Sequence, residues 1–147
     1  MLMIIADCRA DVFAGGALVF ARNVHWSGED LAELRGKRVL VCVHGVKNTR
    51  AQIERAYSEI FNRSRASFDA LVGFVWPGGV TPLGWPIASA IAVQRGARHL
   101  ATVLNAIRDA GAATIDVDAH SLGCPITMEA LDELDSPIDG VWLMAPA

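Results

Sequence analysis

A serine near the end of the chain has the surroundings of a catalytic nucleophile. It lies in the stretch DAHSLGCP, Asp118 to Pro125, which has the form small-x-Ser-x-Gly. In this pattern a strained turn between a strand and a helix projects the serine hydroxyl into a site. Ala119 and Gly123 supply the small side chains that let the strand and helix backbones converge. The pattern predicts that Ser121 is a nucleophile.

Two backbone amides are expected to support this serine. A serine hydroxyl is a poor nucleophile at neutral pH, so catalysis requires a base for its proton and N–H donors for the developing oxyanion. The amide of Leu122, at the positive end of the following helix, is one expected donor. The amide of Val46, just after His44 and Gly45, is the other. The alternative for Ser121 is an ordinary helix-capping serine.

A base is harder to assign than a nucleophile. Active sites with this turn use the order Ser, then Asp or Glu, then His, and no histidine follows Ser121. Neighbouring side chains on a sharp turn diverge, so we expect His120 to pack against the sheet. His25 and His99 are expected in a loop or on a helix, in solvated or incidental roles. The carboxylate and the base are therefore missing from their expected positions.

The elements that would position these residues alternate between strand and helix from Arg38 onward. RVLVCVHG and DALVGFVW are continuous apolar runs, typical of strands covered on both faces, and TIDVDA leads into the serine turn. One helix is predicted after Thr49, which has capping-box spacing to Gln52. A second is predicted from Pro86 to Ala110, capped by Gly111 and kinked or interrupted at Gly96. Such alternation predicts right-handed crossovers and a layered α/β sandwich.

Four further elements are predicted. MLMIIADC and ALVFAR, separated by Gly15 and Gly16, are expected to pair as a hairpin of two early strands. The helix after the serine turn is expected to reach about Leu134. VWLMAPA, residues 141–147, is the last predicted strand.

Composition restricts the class of protein. A chain of 147 residues with 52% hydrophobic and 20% charged positions predicts a single domain over residues 1–147. A net charge of -3 disfavours nucleic-acid partners and anionic membrane surfaces. The amino terminus lacks a basic region before its apolar run, and no apolar run is long enough to span a membrane, so a cytoplasmic protein is expected. Three cysteines without ligand spacing predict no disulfide framework, metal or cofactor.

Three separated motifs resemble the α/β-hydrolase superfamily, in particular a poorly characterised bacterial branch of serine esterase- and lipase-like proteins. They are VHGVKNT at Val43 to Thr49, WPGG at Trp76 to Gly79, and AHSLG at Ala119 to Gly123. The resemblance implies a three-layer α/β sandwich with a mostly parallel central sheet and the serine turn after the fifth strand. It also implies that Ser121 attacks an ester or a thioester.

Several residues are candidates for a pocket around that serine. In proteins that this chain resembles, the histidine at the position of His44 holds its loop in shape. Trp76 and Trp85 flank a loop at the carboxyl end of a strand, where ligands bind in open α/β sheets. These tryptophans have two alternative roles. They line a hydrophobic pocket for an acyl or alcohol group, or they pack as aromatic side chains beneath a surface loop.

Asp118 departs from the pattern of the resembling proteins, which favour an apolar residue three places before the serine. A carboxylate in a central strand is costly to bury unless it is paired, so Asp118 indicates a polar network or a repurposed pocket. In a regular strand Asp116, Asp118 and His120 share one face. Asp118 is therefore a further pocket candidate.

The sheet of the resembling family continues for two strands beyond VWLMAPA, so the resemblance implies a hydrolase core that lacks the last strands. An apolar edge strand with unpaired N–H and C=O groups invites pairing, which predicts a homodimer that covers residues 141–147. Two functions remain open. The first is a serine hydrolase whose base is supplied unconventionally or by a partner subunit. The second is a catalytically silent core that binds a small-molecule ligand or a protein.

Overall fold

A six-stranded sheet with helices on both faces forms the framework of the protein. The computed structural model describes residues 2–10, 19–46, 49–78 and 85–145, without the side chains of Arg50, Trp85 and Pro86. The strands are β1 (Leu2–Arg9), β2 (Phe20–Gly28), β3 (Arg38–Val43), β4 (Ala70–Val75), β5 (Thr114–His120) and β6 (Gly140–Met144). The helices are α1 (Arg50–Ser64), α2 (Trp85–Asp109) and α3 (Gly123–Leu131), with a short 3-10 helix at Leu31–Leu34.

The strand order is β2-β1-β4-β3-β5-β6. All neighbouring pairs are parallel except β1 and β2, which form an antiparallel pair at one edge of the sheet. The predicted three-layer α/β sandwich with a mostly parallel sheet is therefore confirmed. So is the position of the serine turn, which follows the fifth strand in the chain.

The central strands are apolar on both faces because each face is covered. All six residues of β4 are buried. Val39 and Val41 of β3 pack in the larger core with α2 and α3. Leu40 packs on the opposite face, where Ile53 and Tyr57 of α1 close a smaller core. Burial on both sides explains why these strands have no polar alternation in the sequence.

The first two strands pair as the predicted hairpin, but the second is longer than predicted. It runs over Phe20–Gly28 and so continues past Arg22, and His25 lies in this strand rather than in a loop or helix. Val24 and Trp26 pack against the larger core. Their spacing of two residues places both on one face, with His25 pointing to the other. This alternation is a strand signal that the prediction missed.

The predictions for α1 and for the end of α2 are confirmed. Thr49 and Gln52 form both hydrogen bonds of the capping box. Gly111 follows α2 with a φ of 88°, which glycine adopts without strain. The predicted interruption at Gly96 is wrong, because α2 continues through it. A Cβ built at Gly96 would lie 3.2 Å from Cδ1 of Ile126, so this glycine allows α3 to pack closely on α2.

The last two elements are shorter than predicted. α3 ends at Leu131, before the predicted end near Leu134. The amide of Leu134 donates to the carbonyl of Leu131, three residues back, which is a turn and not α-helical bonding. β6 covers Gly140–Met144, and residues 146–147 lie outside the described part of the chain. β6 begins beside β5 because Asp139 accepts the amide of Ile115 at 2.8 Å.

Candidate active site

Ser121 occupies a strained turn between β5 and α3. Its φ of 53° lies in the left-handed region, which residues with a Cβ rarely adopt. Among the described residues other than glycine, Ala145 alone shares a positive φ. Such a conformation costs roughly 1–3 kcal/mol and persists only where the surrounding structure imposes it. The predicted turn geometry is therefore present at the predicted serine.

Two glycines make room for this turn. A Cβ built at Gly123 would lie 2.6 Å from the carbonyl oxygen of Val43, closer than side chains pack, so the start of α3 approaches the end of β3 directly. A Cβ built at Gly45 would lie 2.9 Å from Cβ of Ser121. The loop after β3 thus passes against the serine itself. Ala119, fully buried beneath the turn, completes the set of small residues that the sequence predicted.

The amides around the serine differ in what they contact. The N–H of Ser121 donates to the carbonyl of Met144 at 3.0 Å, so this amide is occupied by the neighbouring strand. Leu122 is the N-cap residue of α3, and no side chain caps that helix. The first amides of a helix lack intrahelical acceptors and carry the positive end of the helix dipole. Leu122 thus lies at the end of α3 that carries the positive end of the helix dipole.

The loop that carries Val46 lies beside the serine because Gly45 packs on Ser121. On its other side a Cβ built at Gly78 would lie 3.5 Å from Cα of Val46. Val46 is half-buried, and the structure describes this loop up to residue 46. The fold therefore brings together the nucleophile candidate and both segments that were expected to supply oxyanion donors.

His44 fixes the shape of this loop. One ring nitrogen, Nδ1, is 2.6 Å from the carbonyl oxygen of Gly45, and the other, Nε2, accepts the amide of Trp76 at 3.1 Å. Burial lowers the pKa of His44 to about 4, although the hydrogen bond to Gly45 opposes the shift, so the ring is neutral near pH 7. Both nitrogens are engaged within the protein, and His44 acts as a clamp, as the resemblance implied.

Trp76 belongs to the packing beneath the loop. Its side chain is 1% exposed, its ring stacks on His44 with the centroids 5.2 Å apart, and its indole N–H donates to the carbonyl of His44 at 2.8 Å. Of the two alternatives for this tryptophan, the enclosed indole favours aromatic packing. His44 is buried with it. The side chain of Trp85 lies outside the described part of the structure, as do residues 79–84.

The two faces of β5 have opposite characters. Val117 and Ala119 are fully buried on one face, while Asp116, Asp118 and His120 are more accessible on the other, as the sequence predicted. Asp118 pairs with Cys42 of β3 and Trp142 of β6. The carboxylate therefore lies between two strands on the same face of the sheet as α1.

Asp118 lines an open groove of about 410 Å³ on this face. The lining is mainly apolar, from Leu40, Ile60, Phe68, Trp142 and Met144, with Asp118 and Arg63 as its charged members. The oxygen Oδ1 of Asp118 is buried without a hydrogen-bond partner among the described residues. Burial raises the pKa of Asp118, and the positive charge of nearby His120 opposes that rise. Asp118 is thus placed in a groove, as a pocket candidate would be.

A comparison with known protein families identifies the chain. A family model described as "Alpha/beta hydrolase of unknown function (DUF900)" matches residues 21–143, which is most of the chain. The chain belongs to this DUF900 family. No curated protein and no solved structure matches it.

The remaining histidines of this DUF900 chain divide into one near the serine and two remote from it. His120 is exposed, which contradicts the expectation that it packs against the sheet. The reason is that α1 packs on β4 and leaves the end of β5 uncovered. His99 lies on α2, with its ring nitrogens 2.9 Å from the carbonyl oxygens of Arg95 and Ala21. His25 lies in β2, at the far edge of the sheet from β5.

Neither a membrane-spanning helix nor a metal-binding cluster is found among the described residues of this DUF900 chain. These residues contain no helix that is long and apolar enough to cross a membrane. They contain no cluster of three or more side chains suited to a metal ion.

Proposed function

We propose that this DUF900 chain is a serine hydrolase that cleaves carboxylic esters or thioesters, with Ser121 as the nucleophile. The observation that carries the proposal is the φ of 53° at Ser121 on the turn between β5 and α3, directly against Gly45. A fold that maintains a strained non-glycine residue at the start of a helix does so at a cost in stability. Presenting a hydroxyl to a substrate is the function that accounts for that cost.

The reaction follows from the groups around this hydroxyl. The Oγ of Ser121 attacks the acyl carbon while a base takes its proton, and the carbonyl oxygen acquires a negative charge. The amides of Leu122 and Val46 are the proposed donors to that oxygen. Collapse of the intermediate expels the alcohol or thiol, which takes up the proton. Water then releases the acid from the acyl-enzyme.

The groove beside β5 is the proposed site for the apolar part of the substrate. It is connected to the serine through Met144, whose side chain lines the groove and whose carbonyl accepts the amide of Ser121. Its volume of about 410 Å³ lies within the range of sites for small ligands. The mainly apolar lining favours a hydrocarbon or aromatic acyl group over a sugar or a phosphate.

The proposal is tested with a fluorophosphonate probe and short p-nitrophenyl esters. We expect stoichiometric labelling of the native chain and slow ester hydrolysis, both lost in Ser121→Ala. Ser67→Ala removes an exposed hydroxyl after α1 and is the matched control, which retains both. A native chain that is folded but takes up no label contradicts the proposal.

A second candidate function, a non-catalytic module that binds a ligand or a protein, is favoured by the exposed apolar surface of β6. Trp142, Leu143 and Met144 are 51%, 41% and 45% exposed. Clustered apolar side chains at the surface are typical of interaction sites, and Trp142 and Met144 lie together on the face of β6 that lines the groove. Absence of labelling together with saturable binding of a small apolar ester would support this candidate instead.

We also propose that β6 pairs with a second copy of the chain. Among the described strands β6 is an edge of the sheet, and its residues are exposed on both faces. An apolar edge strand presents unpaired backbone groups to any other edge. We place the protein in the cytoplasm, since Cys8, Cys42 and Cys124 are all free, as is usual in reducing compartments.

A further inference from the structure

We propose that the groove beside β5 binds an organic ammonium ion, with Asp118 and Trp142 at the charged group and the apolar lining around the hydrocarbon part. As a statement about a ligand, the inference depends on the groove alone. As a statement about the substrate, it rests on the proposed hydrolase function. The ester or thioester that Ser121 attacks then carries an amine on its apolar part.

The carboxylate of Asp118 calls for a positively charged partner. Asp118 is half-buried and is the acidic member of the described groove lining. Its Oδ1 is buried and has no hydrogen-bond partner among the described residues, and burial raises the pKa of the carboxyl group. A carboxylate in such surroundings is costly unless it is paired. A ligand that brings a positive charge and N–H donors into the groove compensates this charge.

Trp142 lies beside this carboxylate on the neighbouring strand. Asp118 and Trp142 are register partners in the parallel pair of β5 and β6, so their side chains point to the same face of the sheet. Trp142 is exposed and lines the groove together with Asp118. The face of an indole attracts a cation that lies within about 6 Å of the ring centre. A carboxylate and an indole at adjacent positions are therefore suited to an ammonium group.

The rest of the lining suits the hydrocarbon part of such a ligand. The ring of Phe68 meets that of Trp142 edge to face, with the centroids 6.2 Å apart and an interplanar angle of 84°. This is a favourable geometry for an aromatic pair, and it fixes the orientation of the indole. Leu40 and Ile60 supply further apolar surface. The groove therefore combines one negative charge with mainly apolar contacts.

Arg63 is the charged residue of the lining that opposes an ammonium ligand. It is exposed on α1, where solvent and salt screen its charge, whereas Asp118 is half-buried and less screened. Oδ1 of Asp118 receives no hydrogen bond from Arg63. We therefore expect Asp118 to determine which charge the groove prefers. An anionic ligand held by Arg63 is the competing occupant.

The position of Asp118 also defines the shape of the implied substrate. Asp118 lies three residues before Ser121, a distance of about 10 Å along an extended strand. An ammonium group at Asp118 and an acyl carbon at Ser121 can therefore belong to one molecule. The implied substrate is an ester or thioester with its amine several carbon atoms from the reacting carbonyl.

The test is calorimetric titration of the full-length protein at pH 7 with phenethylammonium, phenethyl alcohol and phenylacetate. These probes share a phenyl ring and a short chain and differ in charge. We expect phenethylammonium to bind with a Kd of about 1 mM or tighter, as is usual for so small a ligand, and about tenfold more tightly than the other two. Absence of phenethylammonium binding, or equally tight binding of phenylacetate, overturns the proposal.

Two carboxylate variants test the contact with Asp118. Asp118→Asn is expected to weaken phenethylammonium binding about tenfold or more and to leave phenethyl alcohol within about twofold. Asp116→Asn is the matched control, because Asp116 lies on the same face of β5 but is not among the described residues that line the groove. Its effect should stay below about threefold. Equal losses in the two variants would mean that the overall negative charge of this face, and not Asp118, attracts the ligand.

Two variants of Trp142 test the aromatic contact. Trp142→Leu keeps an apolar side chain but removes the ring, so we expect phenethylammonium to bind about fivefold more weakly, with a smaller loss for phenethyl alcohol. Trp142→Phe should retain most of the affinity. Circular dichroism verifies that each variant is folded. Native affinity in Trp142→Leu would exclude Trp142 from the site.

Labelling of Ser121 separates this inference from the proposed function. Phenethylammonium at saturation is expected to slow fluorophosphonate labelling of the native chain, and binding without slower labelling overturns the statement about the substrate. If the native chain is labelled but shows no preference for the ammonium probe, the inference fails and the hydrolase proposal remains. If the chain is not labelled but binds phenethylammonium through Asp118, the hydrolase proposal fails and the ammonium site remains.

Discussion

The two faces of β5 are the most instructive comparison within the molecule. On the face toward α2 and α3, every residue of the strand is almost completely buried: Ile115, Val117 and Ala119. On the face toward α1, the strand presents the polar series Asp116, Asp118 and His120 beside an open groove. The side chains of β5 therefore point alternately to a packed face and to a face with titratable groups.

The buried face of β5 holds the serine turn in place, and the opposite face carries the side chains that are accessible to a substrate. The packed face anchors β5 and α3 so firmly that the backbone between them accepts a positive φ at Ser121. The open face carries Oδ1 of Asp118, a buried oxygen that has no hydrogen-bond partner among the described residues. The apolar side chains that stabilise the fold therefore lie on one face of β5, and the titratable side chains lie on the other.

The largest expected change in the free energy of unfolding comes from a substitution on the packed face of β5. Ile115→Ala removes a side chain that is 1% exposed, so we expect a loss of about 3 kcal/mol in the free energy of unfolding, as for large-to-small core changes. Met144→Ala, on the open face and 45% exposed, should cost less than about 1 kcal/mol. Urea denaturation followed by fluorescence measures both. Equal losses would show that the two faces do not differ as described.

The next effect concerns the close approach at the serine turn. Gly123→Ala places a Cβ 2.6 Å from the carbonyl of Val43, where only backbone can move, so we expect a loss of about 2 kcal/mol and weaker labelling of Ser121. Gly96→Ala is the matched control, since its Cβ meets the movable side chain of Ile126 at 3.2 Å and alanine favours the helix. Thermal unfolding that is unchanged in Gly123→Ala would contradict the geometry of the turn.

A smaller change in the free energy of unfolding, of opposite sign, is expected for a substitution of Asp118 on the open face. The pKa of Asp118 is raised by burial, so the folded state binds this proton more tightly than the unfolded chain, and Asp118 reduces stability as the pH rises above about 3.8. Asp118→Asn should therefore stabilise the protein at pH 7, because it removes the carboxylate whose charge is costly to bury. Stability at pH 3 should change less. Melting curves at both pH values measure the difference, and a less stable variant at pH 7 would contradict the assignment.

The smallest effect on unfolding is expected at the edge strand, where the readout is assembly. Leu143→Lys places a charge on β6, which disfavours edge-to-edge pairing. The native chain should sediment as a dimer at micromolar concentration and this variant as a monomer. Ile87→Lys, at a position of α2 that is 72% exposed, is the control and should remain a dimer. A native chain that sediments as a monomer would refute the dimer proposal.

The sequence predicted the fold where one physical signal dominated. Continuous apolar runs identified β3 and β4, and the capping box located the start of α1. It failed at β2, where the alternation of Val24 and Trp26 with polar residues was weak and continued past the predicted end at Arg22. It also misjudged Gly96, because a glycine that admits the neighbouring Ile126 has the same local pattern as one that breaks a helix.

The site was predictable only in part, for a similar reason. The spacing of Ala119, Ser121 and Gly123 expresses the constraints of the turn within a few residues, and the structure places Ser121 in the conformation expected from it. The position of His120 beside Gly45 depends on how a loop from another strand passes the turn. It also depends on where α1 ends its cover of the sheet. Such long-range relations leave no local pattern in the sequence.

The most direct test of the account is the site of fluorophosphonate attachment, located by tandem mass spectrometry of peptides from the labelled native chain. We predict a single adduct on the peptide that contains Ser121, absent from Ser121→Ala. An adduct on a different residue, or no adduct on a chain that is demonstrably folded, would contradict the claim that this strained turn presents an activated hydroxyl.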